Sequence, residues 1–196
     1  LSRLRIIKLG GSLLSLPNLR EKFHRWCCEN SHPLTLVMVG GGGMVDAVRE
    51  VNRSNPLPEE FAHWLCMDLL RHTARLAHQI LGDVELVESI DDLQQLILGS
   101  TIASTMPNIA IVQVEICFAR NLSNLGLPAS WQVTSDSLAA ALSQMYEAEE
   151  VVMMKSTDVP SGYQKLAELA DAGIVDRYFP DLASESKVRF VNLRTF

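Results

Sequence analysis

The chain predicts an α/β fold with a mostly parallel sheet and helices on both of its faces. Two observations carry that expectation. Short apolar runs alternate with longer helix-compatible stretches, the pattern of parallel strands joined by helical crossovers. Two of those runs also end in glycine clusters, Lys8-Leu9-Gly10-Gly11-Ser12 and Val39-Gly40-Gly41-Gly42-Gly43, each followed by helix-compatible sequence. With 196 residues, 47% of them hydrophobic, the chain can bury a substantial core.

Taken in order, residues 3–9 read as the first strand, and Asn18 to Glu29 as a helix capped by Asn18. Residues 34–39 form the next strand, which closes a right-handed βαβ unit. A helix from Met44 to Arg53 leaves the second glycine cluster and ends at Asn55-Pro56-Leu57-Pro58. Glu59 to Leu81 is a long helix with Phe61, Leu65, Leu69, Leu76 and Ile80 near one face, the face expected in the core. Between 84 and 121 lie short apolar segments, Val84 to Val87, Ile109 to Val112 and Glu115 to Phe118, separated by polar turns. Ser135 to Tyr146 reads as a helix, Val151 to Met154 as a buried strand, Gln164 to Ala172 as a helix and Val188 to Leu193 as a last strand. There is no internal repeat, no low-complexity segment and no linker between independent domains, so 1–196 is expected to be one domain.

Charge and cysteine usage exclude several function classes. A net charge of −6 disfavours nucleic acid and anionic membranes as partners, because both are bound by lysine and arginine. No apolar run approaches the roughly 18 residues of a membrane span. The first residues run straight into a strand without the apolar stretch of a signal peptide. The four cysteines, Cys27, Cys28, Cys66 and Cys117, show no zinc spacing, and Cys27-Cys28 are expected on a helix as small, partly buried thiols. A reduced, cytoplasmic protein is the expectation. His63, His72 and His78 share the long helix, but none makes an i, i+4 metal pair, so no metal-ligating residues are assigned.

The glycine clusters point to phosphate. Glycine admits positive φ and lets a ligand approach backbone N–H groups, and a helix beginning there adds free donors and partial positive charge. Lys8, at the end of the first strand, can reach over Gly10, Gly11 and Ser12 to neutralise a transferring phosphoryl group. Gly40–Gly43 fit no dinucleotide fingerprint, since the small third position falls on Val45 or Asp46, and the chain has no G-x-x-x-x-G-K-[ST] loop. Thr134-Ser135-Asp136-Ser137 opens a helix, with Thr134 or Ser135 as cap and Asp136 favoured by the positive helix end. An aspartate there would orient lysines rather than act as a base. Lys155 and Asp158 follow the buried strand at 151–154. Ligands of open α/β sheets gather at the carboxyl ends of strands, so Lys8, Gly40, Lys155 and Asp158 are expected at one composite site.

Four motifs in order, Lys8-Leu-Gly-Gly-Ser12, Val39-Gly-Gly-Gly-Gly43, Thr134-Ser-Asp-Ser-Leu-Ala-Ala140 and Lys155-Ser-Thr-Asp-Val159, resemble the amino acid kinase family. The resemblance spans roughly residues 3–160. It implies a three-layer α/β/α sandwich around a mainly parallel sheet, with ATP and Mg²⁺ meeting a small anionic acceptor at the carboxyl strand ends. It further implies an acceptor-binding half over about 1–130 and a shortened nucleotide-binding half over about 131–196. By motif, Lys8 would stabilise the transferring group, Asp136 would organise the lysines, and Lys155 is a candidate second charge. Gly10, Gly11 and Ser12 would lie near the ATP phosphates, Thr157 and Asp158 near the nucleotide, and Gly40, Gly41 and Gly42 would donate to the acceptor. His63 would line the acceptor pocket, as a helical histidine does in some kinases on related folds. Relatives are commonly oligomers, so a homo-oligomer is expected.

The chain departs from larger members where Pro160-Ser161-Gly162 replaces Asp-Gly-Val, and it lacks a downstream Gly-Met-x-x-Lys segment. His63-Trp64 and Val175-Asp176-x-x-Phe179-Pro180 resemble a group of short members, the (aminomethyl)furanmethanol-phosphate kinases. That resemblance implies a phosphate monoester as acceptor, a diphosphate as product and a place in methanofuran-type one-carbon cofactor synthesis. The shortened nucleotide half motivates a second reading, a sensor of small anions or nucleotides on the same fold.

Overall fold

The structure is a computed structural model that describes residues 4–99, 108–118, 122, 125–160, 162–163 and 165–196. Six strands form one sheet: β1 (Leu4–Leu9), β2 (Leu34–Val39), β3 (Glu85–Val87), β4 (Asn108–Val112), β5 (Glu150–Lys155) and β6 (Lys187–Asn192). Their order is β3-β4-β2-β1-β5-β6, and every pair is parallel. Every residue of β1 and β2 is buried, as expected for central parallel strands covered on both faces. In register, Lys8 pairs with Met38 on one side and Met153 on the other.

Eight helices surround the sheet in the described chain: α1 (Leu19–Glu29), α2 (Gly42–Ser54), α3 (Glu59–Leu81), α4 (Ile90–Gly99), α5 (Glu115–Phe118), α6 (Ser135–Met145), α7 (Leu166–Asp171) and α8 (Phe179–Leu182). One face packs Leu4, Ile6, Leu36, Met38 and Val112 against α4, α5 and α6, and Val151 and Met153 continue it against α7 and α8. The opposite face packs Ile7, Leu9, Val37, Val39, Val152 and Met154 against α1 and the end of α3. Successive strand residues point to opposite faces, so this alternation produces three layers, the α/β/α sandwich that the sequence predicts.

The elements differ from expectation in identifiable places. Arg3 and Gln164, the first residues of two expected elements, lie outside the described residues. Asn18 precedes α1 in a left-handed backbone conformation (φ 58°), outside the extended region of a capping residue, and makes no side-chain cap hydrogen bond. The helix expected at Met44 begins inside the glycine run, at Gly42. The apolar segment Glu115 to Phe118, to which the sequence assigns no element type, is a helical turn. Two helices, α4 and α8, and a 3₁₀ turn at Gly11–Ser15 were not expected. On α3 the core face runs from His63 through Met67, Leu70, Ala74 and Ala77 to Leu81, at steps of three and four, with Ala62 beside it, and is not the stripe through Phe61 and Leu76. Those two are 56% and 42% exposed. The helix carries two apolar stripes, and the one with small alanines permits closer approach to the sheet.

At the amino ends of the strands, opposite the site described below, Arg5 is buried in β1. Its guanidinium donates to the Asn30 carbonyl (2.6 Å) and Thr35 Oγ1 (2.9 Å), and stacks 4.9 Å from the Trp26 ring. Glu150 lies 3.7 Å away, so the buried charge is paired and hydrogen-bonded rather than isolated.

Candidate active site

The site forms where the carboxyl ends of β1, β2 and β5 meet the amino ends of α2 and α6. Gly10 N donates to the Met154 carbonyl (2.9 Å) and Gly40 N to the Leu9 carbonyl (2.8 Å), so both glycine turns extend the ladder beyond the strands. The turns then press on each other. A Cβ on Gly11 would overlap Gly42 N and the Gly40 carbonyl, and Gly42 itself has φ +52°. This contact explains glycine at 11 and 42: two backbones occupy space that side chains would otherwise fill. Ser12 Oγ donates to Ser156 Oγ at 3.0 Å, which ties the first turn to the end of β5.

Lys8 and Lys155 converge on one carboxylate. Lys8 Nζ lies 2.7 Å from Asp136 Oδ1, and Lys155 Nζ donates to Asp136 Oδ2 at 2.9 Å and to the Ile174 carbonyl at 2.6 Å. Asp136 is placed by α6, whose first turn is capped when Asp136 N donates to Thr134 Oγ1 at 3.3 Å. Burial would raise the Asp136 carboxyl, but the two ammonium groups outweigh it and hold it below the usual carboxylate range. Burial and the nearby Lys8 charge push the Lys155 ammonium below the usual lysine value, against the opposing pull of Asp136. The cluster carries net charge +1. Each ammonium has three N–H donors, so among the described residues Lys155 keeps one and Lys8 two for a ligand.

A cavity of about 420 Å³ opens over this cluster. Of the residues singled out from the sequence, it is lined by Lys8, Gly10, Gly11, Ser12, Gly40, Gly41, Gly42, His63, Asp136, Lys155 and Thr157. Asp158 is exposed and does not line it. His63 is buried on α3, with Nδ1 3.1 Å from the Ser130 carbonyl. A carbonyl only accepts, so Nδ1 carries the proton there. Burial lowers the ring's pKa and favours the neutral form.

The sequence reading missed the apolar wall, Met67, Leu70, Trp131 and Val133, and a second aspartate, Asp176. Trp131 lies under the Arg49 guanidinium, 5.9 Å from its ring centre. The wall residues carry no motif. Asp176 stands in the Val-Asp-x-x-Phe-Pro segment, which was the one signal for it.

The cradle fits a polyphosphate: glycine backbones held in contact, the amino end of α2 and unspent lysine N–H donors all face one cavity. The described residues contain no group of three or more metal-ligating side chains.

The chain is similar to known proteins across nearly its full length. The model of the amino acid kinase family matches residues 3–169. The [5-(aminomethyl)furan-3-yl]methyl phosphate kinase of Methanocaldococcus jannaschii is 25% identical over 198 residues, covering 93% of this chain and 84% of that protein. Crystal structures with the same fold include UMP kinase from Ureaplasma parvum (TM-score 0.64, 14% identity), covering 97% of this chain and 88% of that one. Uridylate kinase from Archaeoglobus fulgidus superposes with a TM-score of 0.61 at 17% identity, over 95% and 89% of the two chains.

Proposed function

The chain belongs to the amino acid kinase family and is a small-molecule phosphotransferase, and on that premise we propose that it moves the γ-phosphoryl group of ATP to an oxygen of a phosphate monoester. The observation that carries this reading is the pair of lysines on Asp136 beside two interlocked glycine turns. ATP, with magnesium on its phosphates, would supply the phosphoryl group. Lys8 and Lys155 offer fixed positive charge to the oxygens of the group in flight, and Asp136 keeps both in place without reorganisation during the step. Gly10, Gly11 and Ser12 are assigned to the nucleotide's phosphates, and Thr157 and Asp158 to the nucleotide more loosely. Gly40, Gly41 and Gly42 are assigned to the acceptor, so residues up to about 130 form the acceptor's side and the rest the nucleotide's.

A phosphate monoester is already anionic at neutral pH, so its oxygen attacks without a general base. That agrees with His63, whose Nδ1 proton is committed to a carbonyl; we assign this histidine to shaping the acceptor pocket. The M. jannaschii relative makes an (aminomethyl)furanyl methyl phosphate the first acceptor to try, with a role in methanofuran-type cofactor synthesis. The reading includes a homo-oligomer, for which exposed Phe61 and Leu76 on α3 offer an apolar surface.

The test is ADP release with ATP-Mg against glutamate, aspartate, carbamate, UMP, isopentenyl phosphate and the furanyl methyl phosphate. Turnover of a phosphate monoester, lost in Lys8→Ala, supports the reading. Turnover of a carboxylate instead would change the acceptor class. Silence across the panel, with no ATP affinity by calorimetry, would leave an anion or nucleotide sensor on this fold.

A further inference from the structure

Asp176 takes part in none of the steps above, yet its carboxylate is the most heavily bonded group near the cavity. Oδ2 accepts from Thr134 N (2.8 Å), Thr134 Oγ1 (2.7 Å) and Ser137 N (3.0 Å). Oδ1 accepts from Ser137 Oγ, and from Tyr178 N and Phe179 N, both at 3.1 Å. Six donors from two segments about forty residues apart in sequence therefore meet on one side chain. The amino end of α6, which sequence alone would offer to a ligand phosphate, is largely occupied by the protein's own carboxylate.

The turn that carries Asp176 also touches the charge cluster. Two residues earlier, the Ile174 carbonyl accepts from Lys155 Nζ at 2.6 Å, and Val175 between them is buried. Lys155 is thus held from two sides, by Asp136 on α6 and by Ile174 on the turn, and Asp176 joins the turn to α6. We infer that Asp176 is a positioning residue for phosphoryl transfer: it locks the 173–176 turn to the amino end of α6, so that Lys155 is aimed at the reacting phosphate. The inference rests on the reading of Lys155 as the second catalytic charge.

An ordinary structural tie would stabilise the fold and leave kcat and the placement of Lys155 unaffected, and a variant that keeps the Asp176 charge separates the two roles. The charged groups that face Lys155 are Lys8 from β1, Asp136 from α6 and Asp176 from the turn. Asp136 and, more weakly, Asp176 favour the protonated ammonium, so neutralising Asp176 shifts Lys155 to lower pH through space alone. The experiment follows the ¹³Cε resonance of Lys155 against pH in ligand-free wild type and Asp176→Asn, with kcat and KM measured in parallel. The expected result is a Lys155 titration at lower pH and a basic limb of kcat moved the same way. With them should come at least a tenfold loss of kcat and a KM for ATP within threefold of wild type.

A kcat within twofold of wild type in Asp176→Asn would overturn the inference, whatever happens to Tm or to the Lys155 titration. Ser137→Ala keeps the carboxylate's charge, so its Lys155 titration reports placement rather than charge and needs no substrate: a moved titration supports the lock and an unmoved one overturns it, even if the kinase assay is silent. Should Asp176→Asn not fold, Ser137→Ala removes one donor while the carboxylate's charge stays. At least a threefold loss of kcat with unchanged KM for ATP is then expected, and an unchanged kcat would overturn the proposal.

Discussion

Lys8 and Lys155 share one carboxylate, and that two-to-one ratio decides what each substitution does. Lys8→Met leaves Asp136 and Lys155 as a balanced pair, so stability should change by no more than about 1 kcal/mol while kcat falls about 10²- to 10³-fold. Chemical denaturation beside steady-state kinetics checks both halves. Asp136→Asn leaves two lysines facing each other at a buried position, an uncompensated charge that costs about 3–5 kcal/mol. That variant should lose stability and activity together. The pH dependence follows from Lys155, which burial and Lys8 push below 10.5. Losing its proton removes positive charge from the site, so kcat should fall as pH rises, with the midpoint below that of an ordinary lysine. A kcat that stays flat up to pH 10.5 would remove Lys155 from the step. Lys8 and Asp136 stand out in the sequence because a glycine turn follows one and a capping residue precedes the other, and Lys155 because it ends a buried apolar strand. Asp176 was not assigned a role, because its partners lie 39 and 42 residues away and only the fold brings them together.

At the scale of elements, the two glycine turns act as one structure. Gly11 and Gly42 meet backbone to backbone, whereas a Cβ at Gly43 would stand in open space. Gly11→Ala should therefore force the turns apart, with activity falling at least about 10²-fold as the donors leave their positions. Gly43→Ala, in the first turn of α2, should be neutral or slightly stabilising, by about 0.5–1 kcal/mol, since alanine favours helix. Full activity in both variants would show that the run is only a flexible loop. The same run hid the true start of α2, because glycine is read as a breaker although Gly42 and Gly43 form its first turn. The helix α4 left a signal that went unused: Ser89 Oγ donates to Asp92 Oδ2 at 2.6 Å and accepts from Asp92 N at 3.1 Å, a capping pattern readable as Ser-x-x-Asp.

Across the whole molecule, the cavity draws on β1, α2, α3, α6, the end of β5 and the turn at 173–176. A ligand there stabilises contacts spread through the chain, so binding should appear as global stability. At a hundredfold excess over Kd, ATP-Mg should add about 2.7 kcal/mol. For a chain of this size that raises Tm by about 5–10 °C. A thermal scan with and without nucleotide checks this, and no shift at millimolar ATP-Mg would favour the sensor reading.

Local sequence suffices for the fold class, the parallel strands, the strand-end position of the lysines and the two glycine turns. These follow from local causes: apolar runs of strand length, glycines where backbones must approach, and a capping threonine before α6. Long-range packing is what makes both lysines share Asp136, brings the glycine turns into contact, buries the alanine stripe of α3 and lets Asp176 tie the last turn to α6. Each of those is a contact between segments far apart in sequence, set by strand order and the packing of helices on the sheet, which local pattern does not encode.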